Sequence, residues 1–243
     1  MNKLTHVSRL TLVFCLLLFA LAAPQGRQQQ SKPAANTAAN QTGLILKDIS
    51  GDIDVKGKYL FYLHGLIIEN EGVRPTSPRF GVYEYEEILE TFKRKGFIVI
   101  SQPRPKGTDP EQYAAKVVEQ IKSLLKAGVP AEHITVVGAS RGGGIAMIAS
   151  TRLKNRQVKF AIMAACGDWE VYKKVGVDLW GAILSVYDEK DDMAGTCSDF
   201  FKKSTGISRK KEVVVRLGLG HGILYRPLKE WVDPVTDWAL HTK

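Results

Sequence analysis

A chain of 243 residues, 44% hydrophobic and 24% charged, is long enough for one domain with a sizeable core and has the make-up of a soluble globular protein. Its net charge of +9 raises nucleic acid as a partner, but the basic clusters Arg152-Leu153-Lys154-Asn155-Arg156 and Arg209-Lys210-Lys211 lack the interleaved aromatics of such a surface. Both are read as solvated ends of elements, which excludes nucleic acid and leaves a weak attraction for acidic substrates or membrane surfaces.

The chain opens on a targeting pattern. Lys3, His6 and Arg9 precede an apolar run from Leu10 to Ala23, and Ala20-Leu21-Ala22 fits a small-x-small cleavage site. This reads as a signal peptide over residues 1–22. The run is shorter than the ~20 apolar residues of a membrane-spanning helix, and Phe14 before Cys15 does not suit a lipoprotein site. The expectation is therefore a periplasmic or secreted protein with no stable membrane anchor. Residues 23–42, rich in Gln, Ala, Asn and Pro, read as a disordered linker, and the folded domain spans 43–243.

Within that domain, short apolar runs alternate with amphipathic patterns, the signature of a mostly parallel sheet with helices on its faces. Gly43–Leu46 reads as an antiparallel edge strand and Lys58–Tyr62 as the first core strand. Val82, Tyr85, Ile88, Leu89 and Phe92 recur at helical spacing, with Gly96 as a C-terminal cap. Phe97–Ser101 is a second strand. Asp109 and Pro110 start a helix whose apolar stripe is Tyr113, Val117, Ile121, Leu124 and Leu125. Ile134–Val137, apolar on both faces, is a central strand. A helix over about 142–153 follows, then strands at Val158–Met163, Ala182–Tyr187 and Glu212–Leu217. A helix from Pro227 to Leu240 closes the pattern.

The chemistry centres on Gly138-Ala139-Ser140-Arg141-Gly142, set between the central strand and a helix. This is the G-x-S-x-G elbow, in which a tight turn projects a nucleophilic serine beyond the sheet while neighbouring backbone crowds the positions two before and two after it. His64-Gly65-Leu66 follows the first core strand, where a loop supplies one backbone N–H to an oxyanion hole and the residue after the nucleophile supplies the other; the donors here would be Leu66 and Arg141. His64 itself is assigned to ordering that loop. His221, flanked by Gly220 and Gly222 after the last strand, fits the general base. Asp188, Asp191 and Asp192 all follow the preceding strand, and Asp191 is preferred because a side chain one turn beyond the strand end can curl back over the rim.

The order Ser140, Asp191, His221, with the elbow and the His-Gly loop, resembles the α/β-hydrolase superfamily over about residues 43–243. YLHGLIIENEG, GVYEYEEIL, VVGASRGGG and GLGHGILYRP are similar to small exported bacterial members of uncertain substrate. The spacings leave no room for a large cap domain. The resemblance implies acyl transfer: Ser140 attacks a carbonyl of a small-molecule acyl substrate, His221 takes its proton, Asp191 orients the imidazole, and neither metal nor organic cofactor takes part. Arg141 departs from the usual pattern and would bias the pocket toward anionic groups. Ile67, Ile68, Trp169, Trp180, Ile223 and Tyr225 are expected as pocket walls. Cys166 and Cys197, beyond the ends of neighbouring strands in a compartment that permits disulfides, would pair. Three functions compete: an ester or thioester hydrolase; a peptidase, lactone hydrolase or acyltransferase; and a non-catalytic binding module on the same scaffold.

Overall fold

The computed structural model describes residues 43–49, 51–167 and 170–241. The expected signal peptide, the linker and Trp169 lie outside them. Along the chain the elements are β1 (Leu44–Leu46), β2 (Tyr59–Leu63), α1 (Leu66–Glu71), β3 (Thr76–Ser77), β4 (Gly81–Val82), α2 (Tyr85–Arg94), β5 (Ile98–Ile100), α3 (Pro110–Lys126), β6 (Ile134–Ala139), α4 (Arg141–Leu153), β7 (Lys159–Met163), α5 (Glu170–Val175), β8 (Trp180–Asp188), α6 (Ser198–Lys203), β9 (Gly206–Val215) and α7 (Lys229–Leu240). A 3₁₀ segment over Gly220–Tyr225 carries His221. Seven strands form one sheet in the order β1-β5-β2-β6-β7-β8-β9, and every pairing in it is parallel.

The continuous apolar runs become strands buried on both faces. Along β2, Tyr59, Phe61 and Leu63 join the layer under α3 and α4, while Leu60 and Tyr62 join the layer under α2 and α7. Every residue of β6 is buried. The α3 start is built as its residues predict: Pro110 opens the helix and Asp109 accepts from the Gln112 N–H at 2.8 Å, a cap that contributes about 1 kcal/mol. Among the largest fully buried side chains are Trp231, Phe92 and Phe160, each of which would cost ~3–5 kcal/mol if cut back to alanine. No large cap interrupts the described residues.

Two expectations are corrected here. The edge strand β1 runs parallel to β5, with Leu44 opposite Ile98, not antiparallel. The segment after β1 returns the chain to the same end of the sheet and passes β5 to reach β2, so β1, β5 and β2 all run in one direction. Arg209-Lys210-Lys211 does not end an element either. It lies inside β9, which starts at Gly206 and forms the sheet edge, where charged side chains stand in solvent.

The strand order positions the site. The chain leaving β2 turns toward β5, on one side, while the chain leaving β6 turns toward β7, on the other. β2 and β6 are adjacent, with Leu63 opposite Gly138. Connections that depart in opposite directions leave a crevice at the carboxyl ends of such strands, and here the His64-Gly65 loop and the Ser140 turn form its two banks.

Candidate active site

Ser140 occupies the turn between β6 and α4 with φ 52° and ψ −118°. L-residues adopt this conformation at a cost of order 1–3 kcal/mol, and it persists only where surrounding structure enforces it. The Ser140 N–H donates to Met163 O at 2.9 Å, and its carbonyl accepts from Gly144 N–H at 3.1 Å. The glycines of the pentapeptide are needed for close approach. A Cβ on Gly138 would lie 2.3 Å from Gly142 O, and one on Gly142 would lie 1.9 Å from Leu63 O. Thus the elbow is pressed against the end of β2. The side chain stands at the N-terminus of α4, whose dipole favours negative charge developing there.

His221 and Asp191 follow adjacent strands, β9 and β8. His221 is 5% exposed, and its Nδ1 lies 2.9 Å from Asp191 Oδ2. A carboxylate oxygen only accepts, so Nδ1 carries a proton and Nε2 is the acceptor of the neutral ring. Asp191 has a fully buried side chain, and its Oδ1 accepts from the N–H groups of Met193 at 2.9 Å and Ala194 at 3.1 Å. The carboxylate is therefore fixed from both sides.

The neighbouring acids have other work. Asp188 Oδ1 accepts from Lys190 N–H at 2.9 Å and Gly220 N–H at 3.0 Å, and Oδ2 accepts from Leu217 N–H at 3.1 Å. Burial alone would raise its pKa, but these donors and the Leu219 N–H outweigh burial and hold it below the usual carboxylate value. Asp188 thereby ties the acid-bearing turn to the loop that carries His221. Asp192 is exposed and pairs with Arg79 at 2.9 Å, and that bond lowers its pKa.

The opposite bank is the loop after β2. His64 is fully buried. Its Nε2 accepts from Arg104 N–H at 2.8 Å and its Nδ1 lies 2.9 Å from Gly65 O, so the ring is neutral with its proton on Nδ1. Burial, helped by Arg104, drives the pKa down to about 3, which rules it out as a base near neutral pH. The Gly65 N–H bonds the Tyr83 hydroxyl. A Cβ on Gly65 would stand 3.8 Å from Ser140 Cβ, so the loop passes directly beside the serine. Leu66 and Arg141 are each the first residue of a helix, and first-turn N–H groups have no acceptor within their own helix.

Ser140 and His221 line one cleft of about 230 Å³, together with Leu66, Ile67, Phe80, Tyr83, Met193 and Tyr225. Of the expected walls, Ile67 and Tyr225 are present. Ile68 and Ile223 instead point into the core beneath α2 and α7, and Trp180 lies at the amino end of β8, bonded to Asp178. Arg141 does not bias the cleft toward anions as expected: its guanidinium donates to Thr108 O at 2.9 Å and lies 3.4 Å from Glu69. Phe80, Tyr83 and Met193 also line the cleft, from turns without the periodicity that would mark them in the sequence. Cys166 and Cys197 form a disulfide with Cα atoms 5.0 Å apart.

No protein-family profile matches the chain, and no curated protein matches its sequence. Solved structures do match its fold. Esterase PE8 superposes with a TM-score of 0.52 at 14% identity, over 75% of this chain and 92% of that one. SOBER1 from Arabidopsis thaliana superposes at 0.50 and 13% identity, over 76% of this chain and 99% of that one. The fold is that of the α/β-hydrolases.

Proposed function

We propose that this chain is a serine hydrolase that cleaves carboxylic esters or thioesters with Ser140 as nucleophile, His221 as general base and Asp191 as its orienting acid. The observation that carries the reading is the pairing, in one cleft, of a serine at φ 52° with a histidine whose far nitrogen is bonded to a buried carboxylate. Ser140 Oγ attacks the acyl carbon as its proton passes to His221 Nε2. The carbonyl oxygen becomes an oxyanion held by the Leu66 and Arg141 N–H groups. The intermediate then expels the alcohol or thiol, which takes the proton back from His221. Water, deprotonated by the same imidazole, attacks the acyl-serine and releases the acid. Leu66, Ile67, Phe80, Met193 and Leu224 favour an uncharged, largely apolar acyl group.

Reaction with a fluorophosphonate tests this. The wild type should label at a single serine and hydrolyse p-nitrophenyl acetate; Ser140→Ala should do neither while keeping its circular dichroism spectrum. Undiminished labelling of the variant would refute the assignment. Export belongs to the same proposal, supported by the basic-apolar-small pattern of residues 1–22 and by a disulfide of the kind that oxidising compartments permit. N-terminal sequencing of the secreted protein should begin near Ala23, and full-length protein confined to the cytosol contradicts it.

A further inference from the structure

Three buried or half-buried charges stand behind the loop that joins β2 to α1, and acyl transfer as proposed above uses none of them. Glu69 on α1 and Arg104 in the segment after β5 both have side chains with no exposure, and Arg104 Nε donates to Glu69 Oε1 at 2.7 Å. Arg104 Nη2 also donates to His64 O. Arg141 Nε lies 3.4 Å from the same Glu69 oxygen. A buried ion pair adds little net stability once desolvation is counted. The cluster also leaves Glu69 Oε2, Arg104 Nη1 and Arg141 Nε buried without a hydrogen-bond partner, so Arg141 meets Glu69 through charge alone, an arrangement that a purely stabilising role does not explain.

What the three groups share is where they are attached. Glu69 belongs to the helix that begins at Leu66, and Arg141 begins α4. We infer that Glu69 is a positioning residue that clamps the two helix starts together, through Arg104 on one side and Arg141 on the other, and so sets the spacing of the Leu66 and Arg141 N–H groups. This rests on the serine-hydrolase reading. Oxyanion donors act because they are fixed before the reaction, and a displacement of about 1 Å can cost up to ~100-fold in rate. Contact of Gly142 with Leu63 O limits how close the elbow can come to the loop. The Glu69 bridge limits how far apart they drift.

The cluster holds two cations against one anion, which makes the sign of the effect diagnostic. If Glu69 acted only through its charge, Glu69→Gln would raise the positive potential behind the oxyanion and speed the reaction. Positioning predicts the opposite. The experiment measures kcat and KM for p-nitrophenyl acetate, and the rate of fluorophosphonate labelling, in the full chain and in Glu69→Gln, Arg141→Met and the double variant. We expect kcat and labelling to fall about 10-fold in Glu69→Gln and about threefold in Arg141→Met, with KM within about twofold. The double variant should be no slower than Glu69→Gln, because both changes cut one bridge. An unchanged or faster Glu69→Gln, a loss confined to KM, or additive losses overturn the inference. If Glu69→Gln does not fold, Arg141→Met decides alone, since its side chain is only partly buried. A wild type inert to fluorophosphonate removes the serine-hydrolase reading and this inference with it; a reactive wild type with an unaffected Glu69→Gln removes this inference only.

Discussion

At the carboxyl ends of the strands, buried charge meets opposite charge or backbone N–H groups; at the amino ends it faces like charge. Asp188 and Asp191 have acceptor oxygens filled by backbone donors and His221, and Glu69 is met by Arg104. At the other end Lys159, only 2% exposed, donates to Ala239 O at 2.7 Å. Burial, then Lys58 and Arg209, pull its pKa down to about 8 against the opposing pull of Glu132. His133 is lowered in the same way, by burial and then Lys58. The lesson is that compensated charge marks the end where side-chain geometry must be held. The amino end tolerates a destabilised cation because nothing there has to be aimed.

If that contrast is right, the largest effect belongs to the acid that touches His221. Asp191→Asn should lower kcat by roughly 10⁴-fold with little loss of stability, whereas Asp192→Asn, on the exposed Arg79 pair, should stay within about threefold. Steady-state kinetics on the two variants, with collapse in the second and not the first, would move the acid to Asp192. Breaking the disulfide comes next. Replacing Cys166 and Cys197 by alanine should cost ~2–4 kcal/mol in urea unfolding, the range for closing a loop of this size, and an unchanged midpoint contradicts that.

The pH response sharpens the comparison further. For His64 the folded pKa of about 3 lies below the unfolded 6.5, so the unfolded chain binds more protons in that window. The stability His64 contributes is complete above pH 6.5 and lost as pH falls toward 3, an effect of ~3–5 kcal/mol at full acid. Urea midpoints should therefore drop between pH 7 and pH 4, and less steeply in His64→Gln. Lys159 works at the other extreme: its folded pKa of about 8 lies below the unfolded 10.5, so stability rises as pH climbs through that window. The smallest change is expected of Lys159→Met, a gain of about 1 kcal/mol once the lost bond to Ala239 is set against the relieved burial, with kcat unaltered. A loss of activity in Lys159→Met would show that the amino end is coupled to the chemistry.

Most of the sheet was legible because strands buried on both faces must be continuous apolar runs, as Ile134–Val137 is. The elbow was legible because only glycine fits at positions 138 and 142. What escaped depends on contacts distant in sequence. The first half of β9, Gly206–Lys211, carries edge charges and lacks an apolar face to read. Ile68 and Ile223 could be assigned to core or cleft only by knowing how a six-residue helix and a 3₁₀ segment turn. The direction of Arg141 is decided by Thr108 O and Glu69, both far earlier in the chain and without a pattern that points to them.

The bond between Cys166 and Cys197 encloses α5 and β8 together with the turn that holds Asp191, but neither Ser140 nor His221. A protease that cut after Lys174, which is exposed on α5, would leave two fragments that remain one covalent molecule. Ser140 would sit on one fragment, Asp191 and His221 on the other, and the bond would keep the two fragments tethered. A nicked chain should run as a single band without reductant and as two with it, while still reacting with fluorophosphonate. A cut at that one exposed place would thus leave the parts of the candidate site tethered to one another.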